Sequence, residues 1–425
     1  MYKGNWKRRI KAVAKTMTVK ILDSNRDWFA GLDFQKPASI PSSKPSTMNH
    51  KLTEQQKEHI TEVYNSIHAS QKWTLSTGKI VDDQMKDLAQ ESMYEHPVHS
   101  LILDPNDPVW CNHFTAAELN EIRQYRRLDL PSIPDDLTVY LDSYDVQWAS
   151  VKDLYLFAEN QQHDPVDEFD KKWVKESILR MAELFLYGDE LDLNDFSEAD
   201  LLHDVWSFIY RAFRDRQMKA LLGEVASKAV ALAKNKGRGL ESKEKRQRKA
   251  MGARLDIMFK IGQQEYGTCE VAKDTVTVAD DKYENVLREK VLFLKQGHTV
   301  KYLDDGLVKV PKSLRDMLAL LVQKNQRKTN SLYTVGFIVM GLCLELVVLD
   351  VPVGSHIARI TRTARFEFPS AVENMAVDFL PLLQLVFKGK QAMVMANKIA
   401  NDRKRKEVEL LGSNSTPSFL PSFYD

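Results

Sequence analysis

The stretch that decides the fold is Arg254-Leu-Asp-Ile-Met-Phe-Lys-Ile-Gly-Gln-Gln-Glu-Tyr-Gly-Thr-Cys-Glu-Val-Ala-Lys273. In its first half Leu255, Ile257, Phe259 and Ile261 alternate with Arg254, Asp256, Met258 and Lys260. That two-residue period marks a strand with one buried face. Gly262-Gln-Gln264 supplies a turn and Tyr266 to Lys273 reads as the returning strand, so the stretch predicts a hairpin. Each strand carries an acid, Asp256 on the first and Glu270 near the end of the second, with Lys273 three residues further on.

The flanks predict what the hairpin packs against. Ser197, with Asp200 at the third helical position, caps a helix whose apolar side is Leu201, Val205, Phe208, Ile209 and Phe213. This helix is expected to run to about residue 235. Helices are expected at 281–296 and, introduced by Pro311, at 311–326. Strands follow near 332–339, 343–350 and 356–367, and a long helix near 370–410 closes the pattern. Leu332 to Val351 is long enough to span a membrane, but it contains Glu345 and Asp350 and is broken by Gly336 and Gly341. Charges in a span are expensive, and the β-branched composition fits two buried strands. Upstream, Thr53 with Gln56 and Thr115 with Glu118 open helices, and a further helix is expected around 166–187. Trp173, Trp206, Phe208 and Tyr210 sit at core spacing on these helices.

The fold class is therefore α/β (α+β overall): a helical N-terminal region, then an α/β core with a central sheet and a long C-terminal helix. The expected divisions are a basic tail with a Pro/Ser-rich linker (1–48) and a mainly helical domain (49–195). The α/β core (196–369), the closing helix (370–410) and a tail without structure (411–425) follow.

An acid on each of two adjacent strands offers the hard oxygen ligands that Mg²⁺ prefers. A nearby ammonium can orient the attacking water and offset charge developing on a phosphate. On these residues the chain resembles the PD-(D/E)XK nuclease superfamily. That superfamily has a core of helix, three strands, helix and strand, and an Asp followed 10 to 20 residues later by Glu-x-Lys. The resemblance covers roughly 197–350 and implies a restriction-endonuclease-like core with a central mixed sheet. By it, Asp256, Glu270 and Lys273 are the catalytic residues, and Asp256 and Glu270 bind the metal with help from Glu198 on the preceding helix. The same region, including Lys301-Tyr-Leu-Asp-Asp-Gly-Leu-Val-Lys-Val-Pro-Lys-Ser-Leu-Arg-Asp-Met317 and Thr334-Val-Gly-Phe337, is also similar to a large uncharacterised family from early-diverging fungi. The chain departs from the superfamily pattern at one point. Glu270-Val-Ala-Lys273 has two intervening residues, and residues three apart on a strand face opposite sides. A bulge, or a strand ending after Val271, would restore the geometry. Glu265 is a rival acid beside the turn.

Charge along the chain supplies the partner expectations. The net of +1 hides an acidic block at 163–204, with thirteen acids against four bases, and a basic block at 228–249, with nine bases against two acids. The basic block abuts the Asp256 strand. Lys243, Lys245, Arg246, Arg248 and Lys249 are the expected nucleic-acid contacts. Either block is also an expected surface for a protein partner. The function expected is metal-dependent phosphodiester hydrolysis; the alternative is an inactive nuclease fold that binds nucleic acid or protein.

Three cysteines (Cys111, Cys269 and Cys343) are odd in number and far apart, which excludes a disulfide framework and points to a reducing compartment. The expected location is intracellular, nuclear or cytoplasmic ahead of mitochondrial, since the first twenty residues hold seven bases and no acid. No membrane role is expected. His96, His99, Cys111 and His113 lack paired zinc-ligand spacing and read as ordinary polar residues around the turn Asp104-Pro-Asn-Asp-Pro108.

Overall fold

The computed structural model describes residues 51–187, 196–215, 217–236, 248–273, 302–369, 375–402 and 419–424. The expected tail over 1–48 and helix at 281–296 lie outside these residues. So does the candidate contact set Lys243, Lys245 and Arg246.

The strands are β1 (Ile102–Leu103), β2 (Lys219–Ala226), β3 (Arg254–Ile261), β4 (Gln264–Ala272), β5 (Tyr333–Met340), β6 (Cys343–Asp350), β7 (Ala358–Arg362) and β8 (Phe366–Glu367). Helices α1 (Glu54–Asn65), α2 (Val81–Glu91), α3 (Ala116–Gln124), α4 (Asp135–Asp142), α5 (Val151–Asn160) and α6 (Phe169–Glu183) come first. Then come α7 (Glu198–Asp200), α8 (Ser207–Arg211), α9 (Lys228–Lys234), α10 (Val310–Lys324) and α11 (Met375–Asn401). One mixed sheet runs β1-β7-β6-β5-β4-β3-β2, with β8 beside β6. Within it β2, β3 and β4 form an antiparallel meander, and β5 lies parallel to β4 after the α10 crossover. The parallel pair is buried on both faces, as such strands are.

The decisive hairpin forms as its alternation requires. Ile257 pairs with Cys269 and Phe259 with Gly267, around a two-residue loop in which Gly262 takes φ +60°. Leu332 to Val351 folds as β5 and β6, paired from Tyr333–Asp350 to Met340–Cys343. No helix among the described residues is long and apolar enough to cross a membrane.

Two expectations fail here. The helix expected to reach 235 ends at Arg211, and Lys219–Ala226 is a strand. Its Lys, Ala, Leu and Glu are good helix formers, so local propensity misleads. It is an edge strand, bulged between Leu222 and Val225, where Gly223 takes φ +92° and Glu224 +52°. The tail after Gly412 was expected to lack structure, yet Phe419 is buried and Ser422 donates its backbone N–H to Asp316 Oδ1 at 2.7 Å.

Helices cover both faces of the sheet. A Cβ on Gly336 would meet Val310 and Leu314, so α10 lies on the face of β5 that carries Gly336 and Ile338. Gly389 of α11 packs against Phe337 and Leu346, on the other face. Phe213 stacks on Phe259 at 4.2 Å and Phe208 meets Phe379 at 5.1 Å, which places α8 and its exit beside α11. Residues 47–425 form one compact unit. In it Trp173, Trp206, Phe208 and Tyr210 share the buried core with the sheet.

Candidate functional site

The antiparallel register of β3 and β4 ends with Ile257 opposite Cys269, and Asp256 and Glu270 are the next residues of the two strands beyond that pair. The two expected ligands thus follow the last pair at the same end of the hairpin. Both lie near the Cys269 thiol, which burial pushes well up and the Asp256 and Glu270 charges raise further. Asp256 Oδ2 accepts the backbone N–H of Val271 at 2.8 Å, which fixes its carboxylate at the end of the hairpin.

The row continues across the sheet. Glu270 is level with Ile338 and Ile338 with Glu345, so all three stand on the α10 face. Glu345 meets Arg362 at 3.4 Å, and Arg362 donates to Asp104 at 2.6 Å and to the carbonyl of Gly306 at 3.1 Å. A strip of alternating charge thus runs past the start of α10, at the end of the sheet where the parallel strands β4 and β5 finish. In open α/β sheets this end is the common place for ligands.

Lys309, from another element, is ion-paired with Glu270. Lys309 Nζ lies 2.5 Å from Glu270 Oε2, and Glu270 is buried. Strand β4 continues through Ala272 without a register shift after Glu270, so neither a bulge nor an early strand end restores the Glu-x-Lys geometry. Lys273 is the first residue past the strand, half-buried, out of step with Glu270. Glu198 is exposed in the first turn of α7, whose Ser197–Asp200 cap forms as expected. The chain from α7 into α8 packs on the α11 face, the side away from Glu270. Among the described residues no group of three or more His, Cys, Asp or Glu side chains is gathered to hold a metal ion.

No protein-family model, curated protein or solved structure matches this chain. Its chemistry is read from its own residues.

Arg248 and Lys249 are exposed just before β3. The rival acid Glu265 is buried and structural. Its carboxylate accepts from Ser227 Oγ and the Lys228 N–H, each at 2.7 Å, and so caps α9. His96 accepts from the Val98 N–H and meets Asp107 at 2.9 Å, while Cys111 is exposed, as ordinary polar residues would be. All three cysteines are free thiols.

Sequence reading missed Lys309, Arg362 and the role of Glu345. One signal was available: Glu345 is a charge inside an apolar strand, and such a group needs a partner when buried. Lys309 had no comparable mark, because its partner is 39 positions away.

Proposed function

We propose that the sheet end carrying Asp256 and Glu270 is a site for metal-dependent hydrolysis of phosphodiesters in nucleic acid. The observation that carries this reading is that Asp256 and Glu270 both follow the last pair of the β3–β4 hairpin, with Lys309 at Glu270. The order of elements around them adds support. Helix, meander β2-β3-β4, helix α10 and parallel β5 is the order of the superfamily that the sequence resembles.

Oxygen donors on one face suit Mg²⁺, which takes one or two carboxylates and completes its shell with water and phosphate oxygens. Asp256 and Glu270 would hold it. When bound, such an ion supplies Lewis acidity and a more acidic water. Lys309 steadies the Glu270 carboxylate and sets positive charge beside the phosphate. Arg248 and Lys249, exposed where the chain enters β3, would contact the backbone of the strand.

The test is cleavage of plasmid DNA, single-stranded DNA and RNA with Mg²⁺ or Mn²⁺, wild type beside Asp256→Asn and Glu270→Gln. Cation-dependent cleavage should fall about 100-fold or more in each variant. Unchanged cleavage by Asp256→Asn would overturn the assignment. A second reading, an inactive nuclease fold that binds nucleic acid, is favoured by one observation: Lys309 already neutralises Glu270. Salt-sensitive binding with no cleavage would select it.

A further inference from the structure

A cleft of about 440 Å³ opens on the α11 side of the sheet, away from Asp256 and Glu270. Its volume falls in the range of small-molecule sites, roughly 300–1,000 Å³. Phe169 and Val166 give it apolar lining with the buried Trp173 behind them, and the Lys390 ammonium lies 5.1 Å from the centre of the Phe169 ring. Its cationic lining includes Arg211 at the end of α8 and Arg214 one turn on.

The acids of this cleft are already engaged. Lys390, buried on α11, holds Asp215 at 2.6 Å and Asp170 at 3.0 Å. Glu176 is paired with Lys172 at 3.6 Å. Glu176 and Asp215 line the same cleft, but among the described residues neither Arg211 nor Arg214 forms an ion pair with a carboxylate. The Arg211 Nε is buried and has no hydrogen-bond acceptor there. A buried N–H of a permanent cation left in that state is rare in native proteins and calls for an acceptor from outside the chain. Arginine pairs recognise phosphate through forked, parallel hydrogen bonds, and an aromatic face accepts a flat ring by stacking.

We propose that this cleft binds a phosphate monoester carried on a flat ring system, such as a nucleoside monophosphate, with the phosphate on Arg211 and Arg214 and the ring over Phe169 and Val166. It lies across the sheet from the proposed hydrolytic site and does not depend on that reading. The Trp173 indole N–H donates to the Phe208 carbonyl at 2.9 Å and its ring is buried in the core, so it forms the floor behind Phe169 and Val166.

Isothermal titration of the full chain with AMP, phenyl phosphate, adenosine and inorganic phosphate tests this. AMP or phenyl phosphate should bind at least tenfold more tightly than inorganic phosphate or adenosine, and less tightly as salt rises. Arg211→Met should weaken that binding tenfold or more. Arg214 is exposed, so Arg214→Met should weaken it with the melting temperature unchanged and serves where Arg211→Met disturbs folding. Asp256→Asn should leave it unchanged. No binding of either monoester at millimolar concentration, equal binding of inorganic phosphate, or full affinity in Arg214→Met would each overturn the proposal.

Discussion

Lys309, the residue before α10, and Glu270, near the end of β4, form an ion pair at 2.5 Å between elements 39 positions apart. The carboxylate is 1% exposed and the ammonium side chain 29%, so the pair spans the boundary between core and solvent. It ties the crossover helix to the strand that the helix follows.

Removing the lysine should therefore cost more than a surface pair would. Lys309→Met leaves Glu270 buried beside Asp256 without that cation. A broken buried pair costs about 3–5 kcal/mol, and partial exposure of the lysine brings the expected loss to about 2–3 kcal/mol. Urea unfolding measures it. The double variant Glu270→Leu with Lys309→Met should regain part of the loss, because the stranded charge is gone.

Gly389 is the close-approach point of α11. A Cβ there would sit 2.5 Å from Phe337 Cζ and 3.1 Å from Leu346 Cδ1. Alanine raises helix propensity by about 1 kcal/mol, but both neighbours belong to central strands and cannot retreat. Overpacking costs about 1–3 kcal/mol, so Gly389→Ala should be net destabilising by about 1–2 kcal/mol in thermal or urea unfolding. Adding Phe337→Leu should return most of that.

Much of the core was legible because its signals are local. The Ile257–Phe259 alternation, the Gly262 turn, the Ser197 cap and the apolar run broken at Gly341 each fix an element within a dozen residues. What was not legible depends on distant contacts. Strand β2 is built from helix formers, and becomes a strand because it pairs along β3, from Lys219–Lys260 to Ala226–Arg254. The nearness of Asp256 and Glu270 at one end of the hairpin follows from its turn and could be read. The Lys309 partner could not, since nothing near Glu270 in sequence points to it. The docking of Phe419 and Tyr424 is equally non-local: their partners Arg315 and Asp316 lie about a hundred positions back.

His99 should give stability a distinct pH dependence. Its Nδ1 accepts the His96 N–H at 2.9 Å and its Nε2 lies 3.2 Å from the Ala89 carbonyl, a pattern that fits the neutral ring. Burial, with the nearby His96 and Lys312, pushes its pKa down to about 3. The unfolded chain takes up the proton near pH 6.5 while the folded chain resists it. His99 thus stabilises fully above pH 6.5, and that contribution is lost as pH falls toward 3. Relative to wild type, His99→Gln should gain about 1.4 kcal/mol per pH unit between pH 6 and 4. Urea midpoints at pH 7, 6 and 5 for the two proteins measure the difference; parallel curves would refute it.

The docked C-terminal segment should titrate the opposite way. Burial raises the Asp316 carboxyl to about 6, even though it accepts the Ser422 N–H at 2.7 Å and the Tyr424 hydroxyl at 2.6 Å. A carboxyl raised in the folded state favours folding below its unfolded pKa near 3.8, and loses that contribution as pH rises through 6. Asp316→Asn keeps an acceptor but has no charge, so its stability relative to wild type should climb from pH 4 to 6 and then stay level. Tyr424→Phe should cost about 1–2 kcal/mol at pH 7, where its hydroxyl meets the ionised carboxylate, and less at pH 4.5. The Asp316–Tyr424 double-mutant cycle at the two pH values measures the coupling. A coupling near zero at both would mean the segment is held by its other contacts: Phe419 beneath the Arg315 guanidinium 4.5 Å from its ring, and the bonds from Ser422 Oγ to the Lys312 carbonyl and from the Phe423 N–H to Ser100 Oγ.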